Sequence, residues 1–334
     1  MEINSLFNEI ANKLELGTVI ASVERVAGGY MHKMYRLETA SGLYAVKLLN
    51  PAIMLRPDVF ENYKIAEQLE LKLQESNIPV IPALIFNGVK MQYINDRYFY
   101  IFDWVDGKAL SSDEVTQEHC KIIGEILAHQ HKIEQINKDF NRKEVNIDWD
   151  SYINIATDKC PEIVEILTAN RDMLYKYQND GNLALHNIAK VAVISNGDMD
   201  NKNVLWTNGK PSIIDLECLC YGNPQMELFQ LALCWSGFWD FRIDYKLMTA
   251  FIKSYIRICG DSKVSWQDLY YSNMGKLEWL EYSIKRALMI ECEDEEERQL
   301  GIQQTKRTIE LINYYVSIKD KLLTELHKHL MEDN

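Results

Sequence analysis

Ile194-Ser195-Asn196-Gly197-Asp198-Met199-Asp200-Asn201-Lys202-Asn203-Val204-Leu205-Trp206 holds the densest chemistry in the chain, and Ile213-Ile214-Asp215-Leu216-Glu217 follows, with Asp215 twelve positions past Asn203. Asp198 comes after an apolar run and a glycine, so it is predicted in a loop at a strand end, exposed to a cleft. Asn203 opens the next short apolar run and Asp215 closes the one after it. A hairpin of those two runs would bring both oxygens near Asp198. An amide oxygen plus a carboxylate is a donor pair with which proteins hold Mg2+, whose remaining positions stay with water and phosphate oxygens. A second carboxylate can then orient an attacking hydroxyl and take its proton. An Asp followed five places on by an Asn arises about once or twice by chance in a chain this rich in both, so the spacing alone is weak. The glycine, the apolar flanks and the strand-ending Asp215 make it specific. The competing reading has Asp198 and Asp200 as turn residues and Asp215 as a helix cap.

Composition narrows the class. With 334 residues, 47% apolar and 25% charged, the chain is globular and long enough for two lobes. Its net charge of −13 lies mostly beyond residue 104, and no basic patch relieves it, so no nucleic-acid partner is expected. No stretch approaches the roughly 20 apolar residues that span a bilayer. Met1-Glu2-Ile3-Asn4 lacks the basic head and apolar core of a secretory signal. A cytoplasmic protein with no membrane partner is expected. The seven cysteines, at 120, 160, 218, 220, 234, 259 and 292, form no Cys-x-x-Cys pair. They read as reduced thiols behaving as small apolar residues, not as a disulfide framework or zinc site.

The first hundred residues read as strands around one long helix. Val19–Val23, Met34–Leu37, Leu43–Leu48 and Arg97–Phe102 are short β-type runs, with Gly28-Gly29 and Ser41-Gly42 as turns between the first three. From about Pro57 to Ser76, Ile65, Leu69 and Leu73 recur at helical spacing. Past Gly107 long helical patterns are predicted over 113–136, 150–178, 224–258 and 264–332, interrupted near 190–223 by three short apolar runs. The plan is α+β: a small β-rich N-terminal lobe, 1–104, and a larger, mainly helical C-terminal lobe, 105–334. Within the strand Ala45-Val46-Lys47-Leu48, alternation puts Lys47 on the face opposite Val46 and Leu48. A lysine on a partly apolar face needs an anion to hold it, and Glu61, Glu67 and Glu70 on the long helix are candidates.

Asn196-Gly197-Asp198 through Asn203 resembles the catalytic loop of the aminoglycoside phosphotransferase family, His-Gly-Asp-x-x-x-x-Asn. Ile214-Asp215-Leu216-Glu217 resembles that family's metal-binding segment, and the weaker signs run from about residue 15 to residue 290. The resemblance implies a bilobal protein-kinase-like fold, shared with choline and homoserine-type kinases. It implies Asp198 as the catalytic carboxylate, Asn203 and Asp215 as Mg2+ ligands, and Asp200 and Glu217 as candidates for substrate contact. It makes Gly28-Gly29 the loop over the nucleotide phosphates and Lys47 the phosphate-bracing lysine. Glu67 becomes its ion-pair partner, chosen by its distance from Ile78-Pro79. Asp103 and Val105, in Ile101–Gly107, become the hinge whose backbone reads a purine edge. Leu127–His131 resembles a family helix, with His131 read as a buried, hydrogen-bonded core histidine. Asn196 departs from the family's His, a group that supports the loop and does not accept the proton.

The function so implied is ATP- or GTP-dependent phosphoryl transfer to a hydroxyl of a small substrate, with antibiotic resistance as its setting. The acidic helical part suits a cationic acceptor such as an aminoglycoside. The alternatives are a metabolic kinase of an amino alcohol or sugar, and a catalytically silent nucleotide-binding protein. The chain is expected as a monomer or homodimer. Glu291 to Glu297, acidic except for Cys292, reads as a solvated helix face, with help in attracting a cationic substrate as the alternative.

Overall fold

A computed structural model of the chain describes residues 3–26, 31–136, 143–260 and 265–331. Gly28 and Gly29 lie outside the described residues. The chain forms two compact units, residues 1–109 with 203–217 and residues 110–202 with 218–334. The division thus differs from the single cut expected after residue 104. The segment 203–217 belongs with the first unit because its strands find their partners there.

The first unit is built on an antiparallel sheet, β1 (Glu24–Val26), β2 (Lys33–Thr39), β3 (Gly42–Leu48), β4 (Gln92–Ile94) and β5 (Arg97–Asp103), in the order β1-β2-β3-β5-β4. The helix Ile3–Lys13, absent from the sequence reading, covers one face. Its Phe7 and Ile10 are fully buried in a cluster with Leu37, Val46, Leu48, Phe99 and Ile101. Each such side chain contributes about 1.5–3 kcal/mol of burial, ample to hold a short helix. Val19–Val23 is not a strand; only Val19 makes an isolated bridge, to Thr39. The long helix spans Val59–Glu75 and buries Leu69 and Leu73, as its spacing predicts, together with Tyr63 and Ala66, while Ile65 is only half-buried. β6 (Lys108–Ala109) pairs with the strand Val204–Thr207, which forms a hairpin with Lys210–Ile213. Backbone bonds between Ile213 and both Pro79 and Ile81 bind that hairpin further into the unit.

The second unit is mainly helical, and its helices are shorter than expected. The 224–258 pattern breaks into Pro224–Trp235 and Tyr245–Cys259. Gly237 at φ +95° turns the chain, Phe241 also takes positive φ, and the Asp244 side chain caps the second helix. Pro161 and its 3-10 turn separate Trp149–Lys159 from Val164–Leu185. A three-stranded sheet orders Leu219–Gly222, Ala192–Asn196 and Gln135–Ile136, and its middle strand is wholly buried. The acidic run at 291–297 is a helix start, not a uniform solvated face. Asp294 caps Glu295–Ser317 by accepting the Glu297 N–H, and Glu297 is itself buried. Carboxylates on that first turn meet the positive end of the helix dipole. Among the described residues, no helix is long and apolar enough to cross a membrane.

Candidate active site

In the first unit the chemistry gathers around Lys47. Strand alternation turns Val46 and Leu48 into the helix-covered core and Lys47 the other way, where it is only 4% exposed. Its ammonium is ion-paired with both Asp215 and Glu217. Burial alone would lower the lysine pKa; the two carboxylates outweigh it and hold the ammonium charged well above the usual lysine range. Burial likewise would raise the Glu217 carboxyl, but the Lys47 ammonium and the His32 ring bring it down to about 2. His32 accepts the Asn50 N–H at Nδ1 (3.0 Å), so its ring proton sits on Nε2. That nitrogen faces Glu217 at 3.2 Å and the Tyr63 hydroxyl at 3.1 Å.

The hairpin explains how Asp215 arrives. Val204 pairs with Ile213, and the Ile214 N–H donates to the Asn203 carbonyl (2.9 Å), so Asn203 and Asp215 flank the same open end. Asn203 is buried and Asp215 half-buried. Asp215 takes φ +64°, a left-handed conformation that costs a non-glycine residue about 1–2 kcal/mol. The turn Leu216–Cys218 then brings Glu217 back to the same lysine. Such strain persists where surrounding contacts over-determine it, as two bonds to one buried ammonium do here.

Glu67 does not pair with Lys47. It accepts the Tyr100 hydroxyl (2.8 Å), while Glu70, one turn on, is ion-paired with Lys90 and accepts the Ala83 N–H. With Asp215 and Glu217 already on Lys47, the helix carboxylates satisfy other polar groups of the first unit. Glu217 is thereby committed to Lys47 and His32 and does not present a carboxylate to an acceptor. Asp103 ends β5 exposed, with the Trp104 N–H on the Leu43 carbonyl, and the Val105 carbonyl accepts the Gly107 N–H (2.9 Å).

In the second unit, Asp198 sits in the turn after Ala192–Asn196, and the helix Pro224–Trp235 clamps that turn from one face. Glu227 accepts the Asn196 N–H (2.7 Å), Gln230 donates to the Gly197 carbonyl (2.7 Å) and Trp235 donates to the Met199 carbonyl (3.0 Å). Asn201 ties the far end by donating to the Leu110 carbonyl. Behind Glu227 stands His131, buried, with Nε2 on the carboxylate (2.8 Å) and Nδ1 on the Tyr255 hydroxyl (2.7 Å). Lys202 bridges Asp198 (3.1 Å) and Asp200 (3.3 Å). Burial opposes its charge, but the two carboxylates raise its pKa above the ordinary lysine value. Asp200 is buried, and its carboxylate serves both the Lys202 ammonium and the Lys202 N–H (3.2 Å), so it too is committed within the loop.

The sequence reading passed over His32, Lys202 and Glu227. Lys202 lay inside the quoted loop, and its i, i+4 distance from Asp198 was the available signal. Glu227 carried one as well, the one charged side chain in the first turn of a mainly apolar helix.

Solved structures share the fold. Spectinomycin phosphotransferase, in a complex with ADP and spectinomycin, matches with a TM-score of 0.69 at 14% identity, covering 93% of this chain and 98% of that one. A microcompartment-associated aminopropanol kinase matches at 0.58 and 14% identity, covering 94% and 98%. An ethanolamine kinase of Plasmodium vivax matches at 0.52 and 16% identity, covering 86% and 81%. At these identities the likeness is one of fold. No curated protein matches the sequence at a significant level. The model of the phosphotransferase enzyme family, however, matches residues 22–261, and the chain belongs to that family.

Proposed function

We propose that the chain transfers the terminal phosphoryl group of ATP to a hydroxyl of a small, cationic molecule. The observation that carries this reading is the buried Lys47 ammonium held on Asp215, at the hairpin end that also bears Asn203. A fixed cation on a carboxylate, at a hairpin end that also bears an asparagine, suits a metal–triphosphate. Mg2+ fits this donor set. Such an ion takes most of its oxygens from phosphate and water. Asn203 and Asp215 would hold it, and when bound it neutralises charge on the triphosphate.

The remaining work falls to side chains. Lys47 braces phosphate oxygens, and Glu217 with His32 keeps that ammonium in place. Asp198, five residues before Asn203, orients the acceptor hydroxyl and receives its proton, while Glu227, Gln230 and Trp235 fix the loop that carries it. Alignment and charge neutralisation suffice for a loose phosphoryl transition state. ATP as donor is supported by the ADP bound in the spectinomycin enzyme. The spectinomycin, ethanolamine and aminopropanol enzymes name amino alcohols and an aminocyclitol, and the net charge of −13 favours such cations.

The test is Mg2+-dependent product formation from ATP across aminoglycosides, choline, ethanolamine, aminopropanol and amino sugars. Asp198→Ala should lower turnover by about 10²- to 10⁴-fold with nucleotide affinity nearly unchanged. Turnover at an undiminished rate would remove Asp198 from the chemistry, and absence of transfer to every acceptor would leave a nucleotide-binding protein.

A further inference from the structure

Away from the loop and the lysine cluster, the second unit has a concave surface of about 500 Å³ between the helices Gln117–Ile133 and Tyr245–Cys259. The two helices run parallel. Gly124 lies beside Phe251 and Ser254 of the second helix, and Ala128 beside its end at Cys259. Gly124 permits this closeness, since a Cβ there would stand 2.5 Å from the Phe251 carbonyl oxygen. Above that contact the helices leave the cavity, and four cations line it: Lys121, Lys246, Lys253 and Arg257.

That composition runs against the whole chain, whose net charge is −13. Chance would seldom gather four cations and no carboxylate on one concave lining in such a chain. The neighbouring acids do not neutralise them all. Glu118 reaches Lys121 at 3.5 Å and Glu125 pairs with Arg257, both at exposed positions, and exposed pairs of this kind exchange readily for another anion. Lys246 has no carboxylate partner among the described residues. A second observation is independent of charge. Ser254 is only 7% exposed, lines the cavity, and its hydroxyl makes no hydrogen bond within the described chain. A serine inside a helix ordinarily bonds the carbonyl four residues back, as Thr249 does to Tyr245. Ser254 instead leaves its hydroxyl on the cavity lining beside the cations, with the exposed Gln117 at the rim.

We propose that this cavity is a binding site for a small anion carrying a di- or triphosphate group. The volume suits a compact ligand, and a long polyanion would meet the acidic remainder of the surface. The four cations pair with phosphate oxygens and the Ser254 hydroxyl donates to one of them. The residues involved take no part in the catalytic reading, so the proposal stands apart from it.

Hydrogen exchange read by mass spectrometry, on the full chain with millimolar inorganic pyrophosphate or ATP, tests it. Amides over 117–121 and 245–257 should be protected, and the protection should weaken as salt rises. Lys246→Glu with Arg257→Glu, both at exposed positions, should leave the circular dichroism unchanged and raise the dissociation constant read at those amides about tenfold or more per reversed cation. Equal protection by pyrophosphate and ATP assigns the site to the phosphate group itself. Stronger protection by ATP assigns it to a nucleotide. Either upholds the proposal; no protection by both, or protection unchanged in the double variant, overturns it.

Discussion

Glu217→Gln isolates the electrostatics of the lysine cluster. In the wild type the Glu217 carboxyl is held at about 2 against an ordinary value of 4.5. Because the folded pKa is depressed, the ionised form stabilises the fold above pH 4.5, and the contribution is lost as pH falls toward 2. A shift of that size corresponds to about 3 kcal/mol at pH 7. The side chain is 16% exposed and its partner Lys47 5%, so solvent screening does not erase it. Glutamine keeps the shape but removes the charge, leaving Lys47 with Asp215 alone. Urea unfolding followed by the near-ultraviolet signal should show the variant less stable by about 3 kcal/mol at pH 7. The gap should shrink to roughly half or less by pH 3, since the wild type then loses what the variant never had. A gap under about 1 kcal/mol at pH 7, or one that ignores pH, would refute the claim that Lys47 and Glu217 are coupled by charge.

Substitutions at three positions probe the second unit. Lys202→Met removes the cation that bridges Asp198 and Asp200, so turnover should fall about tenfold with the KM for ATP little changed, and Lys202→Arg should recover part of it. Steady-state kinetics with any acceptor that turns over would read both. Glu227→Gln withdraws the carboxylate shared by the Asn196 N–H and His131, and should cost about 2–3 kcal/mol in chemical denaturation and lower kcat more than it raises KM. Gly124→Ala sets two effects against each other. Alanine gains about 1 kcal/mol of helix propensity, but its Cβ would stand 2.5 Å from the Phe251 carbonyl oxygen, and backbone cannot yield as a side chain can. Overpacking of this sort costs about 1–3 kcal/mol, so the melting temperature should drop; a rise would mean the helices part freely.

What the sequence could disclose, and what it could not, follows from the range of the forces involved. Strand alternation is local, and it placed Lys47 on the face opposite Val46 and Leu48. The apolar runs at 204–206 and 212–214 signalled the hairpin that sets Asn203 beside Asp215. The helix Ile3–Lys13 escaped notice because its stability comes from Phe7 and Ile10 packing on a distant sheet, not from local propensity. The partner of Lys47 was beyond local reasoning for a sharper reason. The distance from Ile78-Pro79 points, through the family resemblance, to Glu67, yet the decisive event is the left-handed backbone at Asp215 and the tight turn after it, which fold two carboxylates, two residues apart, onto one ammonium. Nothing in the letters Ile-Asp-Leu-Glu announces a positive φ at an aspartate. The same turn changes the meaning of Glu217, which read as an open carboxylate for the acceptor and instead joins Asp215 in keeping Lys47 charged. On the proposed reading, a cationic acceptor would meet other carboxylates of this acidic chain, because the two nearest the motif, Asp200 and Glu217, are already committed to lysines of their own.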